Sequence, residues 1–463
     1  MANIVISTHW TDGDVIPFIR IGKALKQRGH RVILLTHCYY EKAAYDAGLE
    51  FAPWDTEEEY QKLINDMGQY TDTAASAEEI HLFREKYESL DVRLKEFEKI
   101  SKYCLEENTI ILAKNRSSIS AFMASEKFKC PIVLFFMNPY EIASMVNFYS
   151  LFKERLNMEV NKLRECVELP PINSWLAWQS SIKMQLALWP KWFTTQIPEW
   201  PSEIITTGFP NEIVQDNGTR EIPKEILKIL EEDPNPVLIT GGTSKQIKPD
   251  FYMTAIEACK ILKKRTIVVT RYKEFLPKEL PRYISWFKHL PLDDVMPYMG
   301  VVIHHGGIGT VSGAIYASVP QLAMAYHVDR PLNASKVKSL GLGEYLPPLY
   351  WQPKLIADTL IKLMQPNYKV KCANFLKDIP CNNTLMKICD VVESMGKNTS
   401  YALSHGDILY KEGLLKEQDI VINSTKANQN KNETKSKPIN NLSPEIRRLL
   451  LEKKLSNIQK EGM

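Results

Sequence analysis

The stretch "VVIHHGGIGTVSGAIYASVPQLAMAYHVDRPLNA", residues 301–334, is the part of this chain whose reading decides its fold. It opens as a short apolar run, breaks at two histidines and three glycines, resumes at helical spacing, and then delivers Asp329 beside Arg330. An apolar strand, a glycine-rich turn and a following helix together make an anion site. The helix start offers unpaired N–H groups and the positive end of its dipole, and glycine lets a phosphate approach the backbone. Gly306, Gly307, Gly309 and Thr310 fit that role, and His304 or His305 adds a donor for a diphosphate. The same glycines would also serve a plain tight turn. A second turn, "GGTS" at 241–244, follows the strand "PVLIT". It should face the same phosphates, because ligands of parallel sheets bind at the carboxyl ends of the strands.

Outward from this stretch, strand and helix keep alternating. "NIVIS" reads as a strand, "IPFIRIGKALKQRGH" as a helix stopped at Gly29, and "RVILLTH" as the next strand. "YYEKAAYDAGLEFAPW" supplies a helix, a glycine stop and a third strand, while "TIILAK" and "PIVLFF" read as buried strands. The order predicts parallel sheets with helices on both faces. At 463 residues the chain is too long for one ordinary core, so two domains are expected. They are drawn at 1–215 and 216–395, with closing helices over 353–395 and a tail from 396 to 463. The polar run at 422–441 reads as a disordered linker, and "LSPEIRRLLLEKKL" after it as a capped amphipathic helix.

Composition narrows the class. Hydrophobic content of 44% and charged content of 24% describe a soluble globular protein. A net charge of +3 gives no electrostatic case for nucleic acid. No apolar run reaches the roughly 18 residues that a spanning helix needs. "MANIVISTHW" lacks a basic leader and reads as a mature cytosolic start. The location expected is cytoplasmic, at most peripheral to a membrane. Eight cysteines without a CxxC pair read as buried thiols in a reducing compartment. No His, Asp or Glu cluster has metal-ligand spacing, so no metal is expected. Five of the nine tryptophans fall between Trp175 and Trp200. Such clustering fits an apolar ligand surface, with Trp175 and Trp178 as acceptor contacts, or equally a core or domain interface.

The stretch from His304 to Val337 resembles the donor-binding signature of two-domain inverting glycosyltransferases, which include the antibiotic and sterol enzymes. "HWTDGDVIPFIRIGKALKQRGHRVILLTH" is similar to the same family's opening strand, loop and first helix, and "LPPINSWLAWQ" and "WPSEIITTGFP" to parts of its bacterial members. The resemblance covers roughly residues 1–395 and implies the GT-B fold: two facing Rossmann-like domains, acceptor in the first and nucleotide sugar in the second. It implies that His304, Gly306, Gly309 and Thr310 hold the diphosphate and that Thr243 and Ser244 reach a phosphate oxygen. His289 and Leu290 would contact the base, and Asp329 the sugar hydroxyls. Arg330 departs from the family's glutamine, and Ser318 stands where glycine is usual. Arginine only donates, so an acidic donor sugar or a protein carboxylate is its natural partner.

The resemblance also makes Asp14 the candidate base on the acceptor hydroxyl, with His9 as the alternative. Asp14 could equally cap the helix that follows it. The expected function is inverting, metal-independent transfer of a sugar from a uridine or thymidine diphosphate to a hydrophobic natural product or lipid. No cofactor is expected beyond the nucleotide sugar as co-substrate. Two readings compete: a scaffold that kept the fold while its C-terminal helix recruits a synthetase partner, and a nucleotide-sugar epimerase.

Overall fold

The computed structural model describes residues 1–70, 77–194, 204–211, 222–380, 383–396 and 398–414. Met1–Lys411 form one compact unit. The expected linker and terminal amphipathic helix lie outside the described residues, as do Trp200 and the domain boundary drawn at 215/216.

The first half holds seven strands: β1 (Asn3–Ser7), β2 (Arg31–Thr36), β3 (Glu50–Pro53), β4 (Thr109–Lys114), β5 (Ile132–Phe136), β6 (Met184–Ala187) and β7 (Ile205–Thr206). They lie in the order β3-β2-β1-β4-β5-β6-β7. The second half holds β8 (Val237–Thr240), β9 (Thr266–Val269), β10 (Ile284–Phe287), β11 (Val301–His304), β12 (Gln321–Ala323) and β13 (Gly343–Tyr345), in the order β10-β9-β8-β11-β12-β13. Every pairing in both sheets is parallel, as the alternation predicts. The central strands are apolar on both faces because helices cover both. The helix Asp12–Gln27, for example, buries Val15, Phe18, Ile21 and Leu25 against the first sheet.

Strand order reverses between β1 and β4 in the first sheet and between β8 and β11 in the second. Loops leaving such neighbours run in opposite directions and open a crevice at their carboxyl ends. "TDGDV" follows β1 and "NRSS" follows β4; "GGTS" follows β8 and "HGGIG" follows β11. The sheet topology therefore puts the chemistry-bearing loops of each half at its own switch point.

Two expectations need correction. Trp175 and Trp178 are not surface contacts; they are 2% and 0% exposed. Trp175 packs on Phe148 and Tyr149, and Trp178 edge-on to Phe122. Burial of these large rings stabilises the long helix Tyr140–Cys166 against the rest of the first half. The helix Thr384–Met395, assigned by sequence to the second half, packs on the first: Ile388, Cys389, Val392 and Met395 join the core of β1 and β2. Arg28 pairs with Asp390 and Glu393 at 2.6 and 2.7 Å to fix it there. The chain stays packed beyond 396, with Leu403 and Ile408 buried. The seven described cysteines are free, five of them buried.

Candidate functional site

At the first switch point, Asp14 occupies the first turn of its helix. One carboxylate oxygen accepts the Thr11 backbone N–H at 3.4 Å, so the capping role is real. The other faces the Lys114 ammonium at 3.0 Å. Lys114 ends the buried strand β4 and lies 3.8 Å from Glu141, which caps Met137 N–H at 2.8 Å. Asp14 keeps 25% of its side chain exposed to the crevice, whereas Lys114 keeps 8%.

His9 is drawn away from solvent. Its Nε2 meets Glu96 at 2.8 Å and its ring stacks on Trp54 at 5.2 Å. Burial lowers its basicity although Glu96 opposes this. Glu96 would itself be raised by burial, but Arg93 and His9 hold it down to about 2. His37, paired with Asp55 at 2.6 Å, stands edge-on to His9 at 6.0 Å. Trp10, Trp54, Tyr60 and Phe83 complete an aromatic cluster at the ends of β1, β2 and β3. These rings are scattered through the sequence, and no local pattern marks them as neighbours.

At the second switch point the two adjacent histidines divide. His304 is fully buried; its Nδ1 accepts the Gly306 N–H at 3.0 Å and its Nε2 meets Gln321 at 3.0 Å. Both ring nitrogens are used, and burial takes its pKa down to about 4. No atom remains for a phosphate, which corrects the expectation for His304. His305 is placed differently. Its ring lies between the two glycine turns: a Cβ on Gly242 would come 2.8 Å from it, and one on Gly307 2.4 Å. Its Nδ1 is buried without a hydrogen-bond partner. Burial, with Arg330 and His304 beside it, keeps the imidazole well below its ordinary range. Glycine is required at Gly242 twice over, since its φ is +73°.

Gly307 caps the helix Ile308–Tyr316, with exposed Gly309 and half-buried Thr310 in its first turn. Thr243 and Ser244 are half-buried in the facing turn, where the Ser244 hydroxyl accepts Gln246 N–H at 3.2 Å. His289 is exposed beyond β10, but Leu290 is 5% exposed and belongs to the core with Val295 and Met296. The Leu290 side chain is thus no base contact.

Asp329 precedes the helix Arg330–Ser339 and accepts from Asn333 at 2.7 Å. Burial raises its pKa, Arg330 opposes this, and the carboxylate of Asp14 adds to it from the other half. Arg330 is 7% exposed and donates to the Gln246 amide oxygen at 2.8 Å. Its Nη1 is buried without a partner, and among the described residues it forms no ion pair, so the expected protein carboxylate is not found. Three further pairs link the halves: Asp12 with Arg271 at 2.8 Å, Lys245 with Asn65 at 2.7 Å, and Arg20 with Asp293. Trp10, Arg116, His327 and Val328 all adopt positive φ around this crevice. Such backbone costs on the order of 1–3 kcal/mol each and persists where the surroundings over-determine it.

Two parallel sheets whose switch-point loops meet in one crevice define a GT-B protein. Solved structures agree: the glycotransferase of kitacinnamycin superposes with a TM-score of 0.66 at 16% identity, covering 85% of this chain and 99% of that one. The glycosyltransferase VinC, solved with dTDP, gives 0.59 at 16% identity over 85% and 100%. Residues 4–135 match the glycosyltransferase family 28 N-terminal domain. Residues 263–393 match the erythromycin biosynthesis protein CIII-like C-terminal domain. A sterol 3-beta-glucosyltransferase of Arabidopsis thaliana is 26% identical over 73% of this chain and 57% of its own length. The 10-deoxymethynolide desosaminyltransferase of Streptomyces venezuelae is 24% identical over 45% of this chain and 51% of its own. The chain thus spans about half the length of these relatives. It belongs to the UDP-glycosyltransferase superfamily.

No helix among the described residues is long and apolar enough to cross a membrane, and no group of three or more metal-ligating side chains occurs among them.

Proposed function

We propose that the chain is an inverting glycosyltransferase that moves a sugar from a nucleotide diphosphate to a hydroxyl of a hydrophobic acceptor. The observation that carries this reading is that Asp14, after β1 of the first half, and Asp329, beside the glycine turns of the second, belong to halves joined by Asp12–Arg271 and Lys245–Asn65. One carboxylate lies on the acceptor side to take a proton; the other lies beside the glycine turns, where it can bind sugar hydroxyls. With a single base opposite the leaving group, attack comes from the far face and the anomeric centre inverts.

The diphosphate would lie on the start of the helix Ile308–Tyr316, against the N–H groups of Gly307 and Gly309, with Thr310, Thr243 and Ser244 as hydroxyl donors. His305 and Arg330 carry the unpartnered nitrogens there. An arriving phosphate raises the His305 pKa, so that the ring donates to it as imidazolium. These groups meet the leaving charge, and the reading uses no metal ion. On the acceptor side, the half-buried rings of Trp10 and Trp54 offer an aromatic wall, backed by the buried Phe83 and Tyr60. The likeness to a sterol 3-beta-glucosyltransferase and a 10-deoxymethynolide desosaminyltransferase supports a large hydrophobic alcohol as the acceptor.

The test is release of nucleoside diphosphate from uridine and thymidine diphosphate sugars in the presence of chelator. Release that rises several-fold when a sterol or macrolide alcohol is added, with a glycoside formed in equal amount, supports the reading. Release indifferent to acceptor, or strictly dependent on added divalent metal, contradicts it.

A further inference from the structure

Lys114, Asp14 and Glu141 form a half-hidden trio that the sequence did not mark. Each carboxylate spends one oxygen on a backbone N–H, Thr11 for Asp14 and Met137 for Glu141. Each turns its other oxygen to Lys114, at 3.0 and 3.8 Å. Lys114 therefore bridges the two carboxylates, and its side chain is 8% exposed. Burial lowers its pKa, but Asp14 and Glu141 outweigh burial and raise it above the ordinary lysine value. A carboxylate held this close to an ammonium has a neighbour through which a proton can leave. A proton taken from an acceptor hydroxyl would soon be lost back to the oxyanion unless it moved on.

We propose that Lys114 and Glu141 carry the acceptor's proton away from Asp14. As the acceptor oxygen bonds to the anomeric carbon, its O–H bond breaks and the proton joins Asp14. The bond from the anomeric carbon to the diphosphate breaks with its electron pair on phosphate. Lys114 gives one N–H proton to Glu141 and takes the one from Asp14, so a single proton passes from acceptor to Glu141 and the lysine ends as it began. Burial supports this role, because it pushes Glu141 up to about 7, near the point where it can both accept and release a proton. The charged groups facing Glu141 are Lys114 from the end of β4, Asp14 from the first helix and Arg116 from the loop after β4. Lys114 and Glu141 are positioning residues; only Asp14 touches the acceptor. The proposal rests on the glycosyl-transfer reading.

Two readouts separate the proposal from that reading. The first needs no activity: infrared titration of the whole protein across neutral pH. A protonated carboxyl band that disappears near pH 7 and is absent from Glu141→Gln is expected; Lys114→Met, removing the neighbouring charge, should move it to higher pH. A spectrum identical in Glu141→Gln overturns the proton store. The second is the pH dependence of kcat/KM. Wild-type activity should rise through the same pH as the trio loses its proton, and Glu141→Gln should shift or flatten that limb. Lys114→Arg keeps the charge but cannot exchange protons at neutral pH. It should lose at least tenfold in kcat, as Lys114→Met does, with nucleotide affinity unchanged. Full activity in Lys114→Arg would reduce Lys114 to a fixed charge and end the relay. If no sugar is transferred by wild type, the glycosyl-transfer reading fails while the infrared result still judges the store.

Discussion

His304 and His305 are chemically identical and adjacent, yet the chain uses them differently. His304 is the last residue of β11 and is swallowed by the sheet; His305 is the first residue free of the ladder and turns into the glycine loops. Binding of a nucleoside diphosphate to His305→Ala should weaken by about 1–3 kcal/mol, the value of a charge-assisted bond, while the free nucleoside is unaffected. His304→Ala should leave nucleotide affinity nearly unchanged and instead cost about 1–3 kcal/mol of folding stability, since Gly306 and Gln321 lose their partner. The His304 pKa is depressed in the folded state, from 6.5 to about 4. Its contribution is therefore complete above pH 6.5 and is lost as pH falls toward 4, because the unfolded chain takes up the proton first. Urea unfolding at several pH values in this window should show a steeper loss for wild type than for His304→Ala. The motif was legible in the sequence, but not which histidine faces the glycine turns, because that depends on where the ladder of β11 stops. Lys114 and Glu141 were invisible for a related reason: 27 positions apart, they meet only because β4 and β5 are neighbours.

At the scale of elements, alternating apolar runs and glycine stops sufficed for the parallel sheets, since a buried parallel strand leaves a continuous apolar signature. The tryptophan cluster misled because composition cannot separate a ring that lines a surface from one that fills a core. Trp175 and Trp178 sit on a six-residue helix with every side chain buried. The helix Thr384–Met395 misled because an amphipathic stripe states that a helix docks but not on which sheet. Ser318 carries an element-scale prediction. It follows the helix Ile308–Tyr316 at φ +57°, a left-handed position where glycine costs nothing. Ser318→Gly should raise stability by about 0.5–1 kcal/mol, or shift the thermal midpoint upward by a degree or more, with donor affinity unchanged. A destabilised Ser318→Gly protein would mean that the serine side chain holds the turn by more than its backbone.

For the whole molecule, the proposed reading divides one reaction between the two halves. The glycine turns, His305, Asp329 and Arg330 lie in the second half; Asp14, Lys114 and the aromatic wall lie in the first. Asp12 with Arg271 and Arg20 with Asp293 tie the two halves together. This division makes binding and chemistry separable by mutation. The most direct measurement is a paired one on Asp14→Asn: calorimetric affinity for nucleoside diphosphate, and turnover of nucleotide sugar with a hydrophobic alcohol. Affinity should match wild type, because the donor site is built wholly from the other half, while turnover falls by a factor on the order of 10²–10⁴, the usual worth of a general base. Near-normal turnover in Asp14→Asn, or an equal loss of donor affinity, would contradict the assignment of proton removal to the first half of the crevice.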